Sequence, residues 1–125
     1  MSDKKILLVD DSMTTLFMEE MILSSRYRLV KASNGEDAVT TALAEQPDLI
    51  LLDVIMPKMD GFEVCRRLRA EEATRQVPII MVTTRGEGHN VEQGYEAGCT
   101  DYVTKPINSI ELLAKVQNYL GAAHG

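Results

Sequence analysis

The chain has 125 residues, of which 45% are hydrophobic and 26% are charged, a composition typical of one globular domain with its own core. Its formal net charge of −6 argues against nucleic acid or an anionic membrane surface as the main partner, because both attract positively charged proteins. We therefore expect a single domain over residues 1–125 whose partners are proteins or small molecules.

Cysteine usage and the absence of long apolar runs predict a cytoplasmic location. Cys65 and Cys99 are too few and too far apart for a disulfide framework or a zinc site, so we expect reduced thiols. No apolar stretch reaches the length of a membrane span. The apolar run near the N-terminus is short and is followed at once by acids, unlike a signal peptide.

Short apolar runs alternate with longer segments of helical period from one end of the chain to the other. The predicted strands are residues 5–9, 27–32, 49–52, 79–83 and 101–104. An alternation repeated five times predicts an α/β fold, a doubly wound five-stranded parallel sheet with helices on both faces. The strand order 2-1-3-4-5 is adopted from flavodoxin-like sheets of this class.

The helices between these strands have recognisable starts. Three residue pairs have the spacing of a capping box, in which a polar side chain caps the helix and an acid follows three residues later. They are Ser33 with Glu36, Asp60 with Glu63, and Asn108 with Glu111. Two further expectations concern apolar residues. The seven methionines, Met13, Met18 and Met21 among them, are more typical of core filling than of a binding patch. The last helix is apolar on more than one face, which fits either core packing or a partner or dimer surface, and the surface is favoured.

Polar residues stand where most of the predicted strands end. Asp10 and Asp11 follow the first strand, and Asp53 follows the third. The corresponding residues of the last two strands are Thr83, Thr84, Thr104 and Lys105. In doubly wound sheets, sites form beyond the carboxyl ends of the strands, and in the order 2-1-3-4-5 the first and third strands are neighbours. The three aspartates should therefore converge.

Converging carboxylates need a neutralising partner. Two unit charges about 5 Å apart repel by roughly 3 kcal/mol at an effective dielectric near 20, and a hard cation such as Mg²⁺, bound by carboxylate oxygens, removes that cost. Asp53, alone at its strand end, is placed to attack phosphorus as a covalent nucleophile. Lys105 and Thr83 can bind the transferred phosphoryl oxygens.

Three other readings of these residues compete with this one. Asp10 and Asp11 have the usual sequence position of a helix N-cap and a first-turn acid. The same aspartyl chemistry also serves metal-dependent phosphatases and phosphotransferases, although Ile55 stands where a general acid would be needed. A flavodoxin-like cofactor site is disfavoured because the acids of the first loop would repel a phosphate.

Four motifs together resemble the receiver domain of two-component response regulators, most of all its stand-alone CheY-like members. The motifs are "ILLVDDS", "DLILLDVIMPKMDGFEV", "PIIMVTT" and "AGCTDYVTKPI", and the resemblance covers essentially the whole chain. It implies a phosphoacceptor that takes a phosphoryl group from a histidine kinase or a phosphotransfer protein, with Mg²⁺ as cofactor. It also implies a signalling protein that promotes its own phosphorylation and dephosphorylation, without an output domain, as a monomer or a phosphorylation-dependent dimer.

The resemblance assigns a role to each site residue. Asp53 is the phosphoacceptor, Asp11 a direct Mg²⁺ ligand, Asp10 a ligand acting through water, and Ile55 a ligand through its backbone carbonyl. Asp53 itself also binds the metal.

The remaining implied roles concern switching. Thr83 and Lys105 contact the phosphoryl group, Tyr102 swings inward when Thr83 moves, and the face of helix 4, strand 5 and helix 5 changes shape for a downstream target. The Lys105-Pro106 bond is expected to be cis. Thr84, Arg85 and Pro106 border the site.

Ile55 departs from the pattern of the family, in which many members carry a polar residue at this position. An apolar side chain there leaves the carbonyl ligand intact but removes a group that places the hydrolytic water. We therefore predict a rate of dephosphorylation different from that of relatives with a polar residue. A receiver that acts only as a scaffold is the remaining alternative, although the expected site residues are all present.

Overall fold

The computed structural model describes residues 3–84 and 88–121, and of residues 88–90 the backbone only. Within these ranges five strands alternate with five helices. The strands are β1 (Lys5–Val9), β2 (Arg28–Ala32), β3 (Leu49–Asp53), β4 (Ile79–Thr84) and β5 (Asp101–Lys105). The helices are α1 (Met13–Leu23), α2 (Gly35–Glu45), α3 (Gly61–Ala70), α4 (Gly88–Ala97) and α5 (Ser109–Leu120), with a short 3₁₀ helix at Glu72–Thr74.

The strands form one parallel sheet in the order β2-β1-β3-β4-β5, which confirms the predicted fold class and order. The predicted strand positions are right to within one residue. β2 begins at Arg28 because the Tyr27 N–H still bonds to the Leu23 carbonyl of the preceding turn. The last three strands each extend one residue further than predicted, so that Asp53 pairs with Val82 and Lys105 with Thr84.

Alternating side chains divide the core into two layers, one on each face of the sheet. Leu7 and Val9 of β1 pack on the face covered by α2 and α3, whereas Ile6 and Leu8 pack on the face covered by α1 and α5. Because β1 is buried on both faces, its near-continuous apolar run is the pattern of a central parallel strand. The carboxyl edge of the sheet is therefore supported by apolar packing on both faces.

Two of the three predicted helix caps are confirmed. Asp60 accepts from the Glu63 N–H at 3.0 Å, and Asn108 accepts from the Glu111 N–H at 2.9 Å. The prediction for Ser33 is wrong, because Asn34 caps α2 by accepting from the Asp37 N–H at 2.8 Å. Asn34 also donates to the Asp37 carboxylate at 3.0 Å, which a serine at position 33 cannot match.

The expectations about apolar residues hold for some residues and fail for others. Met56 and Met81 are buried in the core, as expected, whereas Met13 and Met21 of α1 are 75% and 67% exposed. In α5, Leu112 and Val116 are fully buried, and only Ile110 is a strongly exposed large apolar residue of this helix. The apolar character of α5 is thus mostly core, because this helix closes the layer formed with α1.

The two cysteines are free, as predicted, and both are buried. Burial, with smaller contributions from Cys65 and Asp101, raises the pKa of the Cys99 thiol to about 12. None of the helices within residues 3–84 and 88–121 has both the length and the apolar character that a membrane crossing requires.

Candidate functional site

Three carboxylates meet at the carboxyl edge of the sheet, where β1 and β3 lie side by side. Asp53 is the last residue of β3, and Asp10 directly follows β1, where its N–H bonds to the Ala32 carbonyl at 3.2 Å. One oxygen each of Asp10, Asp11 and Asp53 lies within 4.8 Å of the other two. The predicted convergence is therefore present.

Asp10 is fully buried, and its two oxygens have different surroundings. Oδ1 accepts from the Ser12 N–H at 2.8 Å, while Oδ2 lies 3.3 Å from Lys105 Nζ. The cap of α1 is Ser12, whose hydroxyl accepts from the Thr15 N–H. The competing reading of Asp10 or Asp11 as the helix N-cap is therefore wrong, and both acids are left for the cluster.

Lys105 stands between the two buried acids. Its Nζ lies 3.1 Å from Asp53 Oδ1 and 3.3 Å from Asp10 Oδ2. Burial lowers the pKa of the ammonium, but the bonding and charge of Asp53, followed by the charge of Asp10, outweigh burial and raise the pKa above its ordinary value. One cation thus faces three carboxylates, which leaves the site electronegative.

Asp53 shows the electrostatic cost of this arrangement. Burial raises its pKa to about 6, the nearby charge of Asp10 adds to the rise, and Lys105 opposes it. At neutral pH the carboxylate is therefore ionised and nucleophilic, yet close enough to protonation to gain from any added positive charge. A carboxyl group with this pKa, buried beside other acids, suits cation binding and phosphorus attack alike.

Gly61 allows the chain to turn closely around Asp53. A Cβ at this position would lie 2.3 Å from the Asp53 carbonyl oxygen and 2.9 Å from Val54 Cα. The Gly61 N–H instead bonds to the Val54 carbonyl at 2.8 Å. The start of α3 and the end of β3 are thereby locked together.

Thr83 is buried at the same edge, one residue beyond the partner of Asp53 in β4. Its hydroxyl donates to the Val103 carbonyl at 3.5 Å, so in this state it bonds to β5. Thr84 is exposed. A phosphoryl group on Asp53 would have to draw the Thr83 hydroxyl from this long hydrogen bond.

Tyr102 lies half-buried on β5 within an aromatic and ionic group. Its ring packs edge-on against Tyr95 at 6.4 Å between centroids. Lys115 Nζ lies 4.8 Å from the centre of the Tyr102 ring and also bonds to the Tyr102 carbonyl. Asp101 accepts from Lys115 at 3.2 Å and from the Tyr119 hydroxyl at 2.9 Å. β5, α4 and α5 are thus coupled around this ring.

Three further residues were predicted at or near the border of the site, and they are Ile55, Pro106 and Arg85. Ile55 is 60% exposed two residues after Asp53, which leaves an apolar side chain at the mouth of the site. Pro106 is exposed, and the Lys105-Pro106 bond is cis, as expected. Arg85 lies outside the described residues.

One acid behind the site was missed by the sequence reading. Glu19 of α1 is 1% exposed, and neither of its carboxyl oxygens has a hydrogen-bond partner among the described residues. Its spacing in the sequence could have revealed its burial, since Glu19 lies three residues after Leu16 and four before Leu23, both of which face the core. An acid on the apolar face of a helix is unusual.

The donor set fits a hard divalent cation. Every side chain in the cluster offers oxygen, the ligand atom that Mg²⁺ prefers, and two of the three acids are buried. Soft or nitrogen ligands are absent from the described part of this cluster. The arrangement therefore combines a cation seat, a carboxylate nucleophile and an ammonium.

Comparison with known proteins finds one family. The model of the response regulator receiver domain matches residues 6–117. The chain is 42% identical over 123 residues to the transcriptional regulatory protein ResD of Bacillus subtilis, covering 98% of this chain and 50% of ResD. It is 43% identical over 120 residues to the alkaline phosphatase synthesis transcriptional regulatory protein PhoP of Bacillus subtilis, covering 94% and 49%. The chain spans about half the length of these relatives.

Two solved structures are similar over nearly their whole length. The chemotaxis protein CheY4 of Vibrio cholerae has a TM-score of 0.88 at 32% identity, with 94% of this chain and 99% of that chain covered. The receiver domain of the sensor histidine kinase PA1611 of Pseudomonas aeruginosa, with a magnesium ion coordinated in its active-site cleft, has a TM-score of 0.88 at 34% identity, with 97% and 100% covered.

Proposed function

Since the chain belongs to the response regulator receiver domain family, whose members are phosphorylated on an aspartate in two-component systems, we infer that Asp53 is its phosphoacceptor. The observation that carries this assignment is the position of Asp53 at the end of β3, ionised at neutral pH and in contact with Lys105. The proposal covers residues 1–125 as one receiver domain.

The donor is a phosphohistidine of a sensor kinase or phosphotransfer protein. A carboxylate oxygen of Asp53 forms the bond to phosphorus as the bond between phosphorus and the imidazole nitrogen breaks, and the imidazole leaves with that electron pair. Lys105 supplies positive charge to the phosphoryl oxygens, and Thr83 supplies a hydroxyl. By these contacts the protein promotes its own phosphorylation.

Receiver domains bind Mg²⁺ at an acidic cluster, and Asp10, Asp11 and Asp53 provide one here. In our proposal Asp11 and Asp53 bind the ion directly, Asp10 through water, and Ile55 through its carbonyl. When bound, Mg²⁺ neutralises carboxylate repulsion and the charge of the phosphoryl oxygens. The magnesium in the PA1611 receiver supports this assignment.

Phosphorylation then switches a protein-binding face. Thr83 leaves its 3.5 Å bond to the Val103 carbonyl, and the space it vacates admits Tyr102, which is held by Lys115 and packs against Tyr95 in the resting state. The face formed by α4, β5 and α5 therefore changes shape and binds the downstream target, as in other two-state devices biased by a local charge.

The site opens beside an apolar stripe of α1 that suits the phosphodonor. Met13, Phe17 and Met21 are exposed and four residues apart, so they share one helix face. Because α1 begins two residues after Asp11, a partner helix on this stripe brings its phosphohistidine close to Asp53.

Two expectations from composition stay predictions. Two buried free thiols support a reducing, cytoplasmic location. The formal net charge of −6 is the ground for excluding nucleic acid, and the transcriptional regulators ResD and PhoP, which are similar to this chain, lend that exclusion no support.

The test is intact-mass spectrometry after incubation with Mg²⁺ and acetyl phosphate. We expect one added phosphoryl group, lost in Asp53→Asn and in a sample treated with chelator. Asp60→Asn is the matched control, because Asp60 follows in the same loop and asparagine caps a helix equally well. An adduct that persists in Asp53→Asn would contradict the assignment.

A further inference from the structure

Arg69, near the end of α3, donates to five acceptors at the amino edge of the sheet, away from the phosphoryl site. Its Nε donates to the Gly98 carbonyl at 2.8 Å, and one terminal nitrogen donates to the Thr100 hydroxyl at 3.3 Å. The other terminal nitrogen lies 2.7 to 3.1 Å from three carbonyls of the segment before β4, those of Thr74, Arg75 and Val77. All three nitrogens of this half-buried guanidinium are thus in use.

Thr100 connects Arg69 to the sheet. Its N–H donates to the Ile79 carbonyl at 2.7 Å, and its hydroxyl accepts from the Ile79 N–H at 3.0 Å. Ile79 begins β4 and pairs with Ile50, which lies three residues before Asp53 on β3. At about 3.3 Å per residue, Arg69 is therefore fixed to the sheet roughly 10 Å from the carboxyl edge.

Gly98 ends α4 in a conformation that suits the guanidinium. Its φ is +110°, a left-handed value that favours glycine, and a Cβ there would lie 2.8 Å from Arg69 Cγ. The carboxyl end of a helix carries partial negative charge, so a cation beside it is favourable. We call Arg69, Gly98 and Thr100, with their hydrogen bonds, the amino-edge clamp.

The middle of α4 contacts the rest of the protein through apolar and aromatic groups. A Cβ at Gly94 would lie 3.1 Å from Cys99 Sγ and 3.5 Å from Met81 Cγ, and the Tyr95 ring packs edge-on against Tyr102. Packed helices can slide by small amounts, whereas hydrogen bonds weaken steeply when their angles change. A displacement of α4 is therefore easier in its middle than at its clamped end.

We propose that the amino-edge clamp holds the carboxyl end of α4 fixed during switching: phosphorylation of Asp53 displaces the start of α4, and the helix turns about Gly98. This inference rests on the proposed function of Asp53. α4 begins four residues after β4 ends, so the proposed movement of Thr83 reaches α4 at its first turn. Arg69 is then a positioning residue that directs the change toward one end of the helix.

Loss of the clamp should change where the protein responds, and this separates a positioning role from a structural one. Without Arg69, the Gly98 carbonyl loses a charged partner, and the end of α4 is free to follow its start. A purely structural Arg69 would contribute to stability, but its removal would leave the response to a phosphoryl group in the same part of α4.

The test compares variants that alter the clamp from either side. Arg69→Met removes the guanidinium and keeps an apolar stem, whereas Arg69→Lys keeps the charge without the fork of donors. Gly98→Ala disturbs the clamp through the close contact of its new Cβ. Arg67→Met is the control, since Arg67 lies on the same helix at the surface and pairs with Glu63. Circular dichroism establishes folding, and Gly98→Ala and Arg69→Lys carry the comparison if Arg69→Met does not fold.

The readout is amide hydrogen exchange and amide chemical shift, measured by NMR on the full chain with Mg²⁺, before and after addition of beryllofluoride. This anion occupies a phosphoryl site without covalent chemistry. The N–H groups of Gly98, Cys99 and Thr100, all bonded to backbone carbonyls, report on the clamped end, and residues 91–93 report on the first half of α4. The amides of β1 report on global unfolding.

In the wild type, we expect beryllofluoride to change the amides of residues 91–93 and to leave those of the clamped end unchanged. In Arg69→Met the clamped end should exchange roughly tenfold faster or more at rest, because a hydrogen bond to a charged group is lost. This increase should exceed any change in β1, and the clamped end should now respond to beryllofluoride. Gly98→Ala should behave alike, Arg69→Lys should lie between, and Arg67→Met should match the wild type.

Each other outcome has a distinct meaning. If the wild type neither binds beryllofluoride nor gains a phosphoryl group from acetyl phosphate, the proposed function fails, and the role of the clamp in switching fails with it. If the wild type does both but its clamped end responds as strongly as residues 91–93, α4 shifts as a whole, and the clamp is refuted while the function of Asp53 stands. A response that stays within residues 91–93 in Arg69→Met would also refute the proposal, because Arg69 would then be structural only.

Discussion

At the scale of single residues, the site is a balance between one cation and several acids. Lys105 lies within 3.3 Å of two buried carboxylates, and Asp11 adds a third at the surface. Each new charge, whether a divalent cation or a phosphoryl group, must shift this balance and move Lys105. A residue that contacts neither the metal ion nor the phosphoryl group can therefore control the reaction by changing the hydrogen-bond partners that are available to Lys105 or to water.

Ile55 controls the access of water to the phosphorylated site. Its exposed apolar side chain, two residues after Asp53, offers no hydrogen bond to an attacking water molecule. We expect Ile55→Asn to shorten the lifetime of the phosphorylated protein, measured as decay of the added mass after the donor is removed. Ile110→Asn, which alters an isoleucine on α5 that is still more exposed than Ile55, should leave the lifetime unchanged. Equal lifetimes in all three proteins would contradict this role.

Glu19 should give the free energy of unfolding a distinctive pH dependence. Its pKa is about 8 in the folded protein, raised by burial and then by Asp10, against an ordinary value of 4.5 for glutamate. The folded state therefore binds the proton more tightly, and the associated stability is fully present below about pH 4.5 and lost as pH rises to about 8. Since one pKa unit corresponds to about 1.4 kcal/mol, the loss amounts to several kcal/mol.

Glu19→Gln isolates this effect because it cannot ionise. Urea unfolding at pH 5 and at pH 8 should show that Glu19→Gln gains stability relative to the wild type at the higher pH. Asp53, whose pKa is also raised, titrates in both proteins, so the comparison removes the part of its contribution that is independent of Glu19. A stability difference that does not change with pH would show that Glu19 is not the buried acid described above.

At the scale of elements, the site depends on how closely helices begin beside strand ends. Helix caps fix where many of these helices begin. The sequence predicted the caps correctly where a single polar residue precedes the helix, as with Asp60 and Asn108. At α2 two adjacent candidates, Ser33 and Asn34, are nearly equal as caps. The second is used, and its amide also donates to the Asp37 carboxylate within the same turn. Because Asn34 with Asp37 and Ser33 with Glu36 have the same spacing, spacing alone does not decide between them.

Gly61 allows the start of α3 to approach the end of β3, where Asp53 lies. In Gly61→Ala the new Cβ would meet the Asp53 carbonyl oxygen at 2.3 Å, so α3 or the end of β3 must shift. We expect a loss of roughly 1 to 3 kcal/mol in the free energy of unfolding, together with slower phosphorylation by acetyl phosphate. Ser109→Ala, at the first position of α5, is the control, and equal effects of the two changes would argue against a close-approach role.

At the scale of the whole molecule, the features that the sequence predicted correctly are those that follow from the periodicity of its apolar residues. Strand positions, the class of fold and the convergence of Asp10, Asp11 and Asp53 depend on alternation and on the rule for strand ends, and the structure has all of them. The order of the strands was adopted from a class of folds, since nothing in a single strand specifies its neighbour. Exposure of Met13 and burial of Glu19 escaped prediction because residue type alone assigns each to the opposite environment.

The acidic cluster also links metal binding to the stability of the entire domain. Three carboxylates face one ammonium in this cluster, and a cation that binds only the folded state stabilises it by mass action. At a Mg²⁺ concentration about 100 times its dissociation constant, the gain is about 2.7 kcal/mol. For a domain of this size, that corresponds to a rise of roughly 10 °C in Tm.

Thermal unfolding with Mg²⁺, with chelator, and with KCl at matched ionic strength tests this coupling. Chelator should remove the gain, and KCl should give little of it, because screening acts weakly on buried pairs. Asp53→Asn should be more stable than the wild type without metal, since one buried repelling charge is gone, and it should gain less from Mg²⁺. Equal gains from Mg²⁺ and KCl would mean that the three aspartates repel one another but hold no ion, and the metal-dependent chemistry proposed for Asp53 would lose its physical basis.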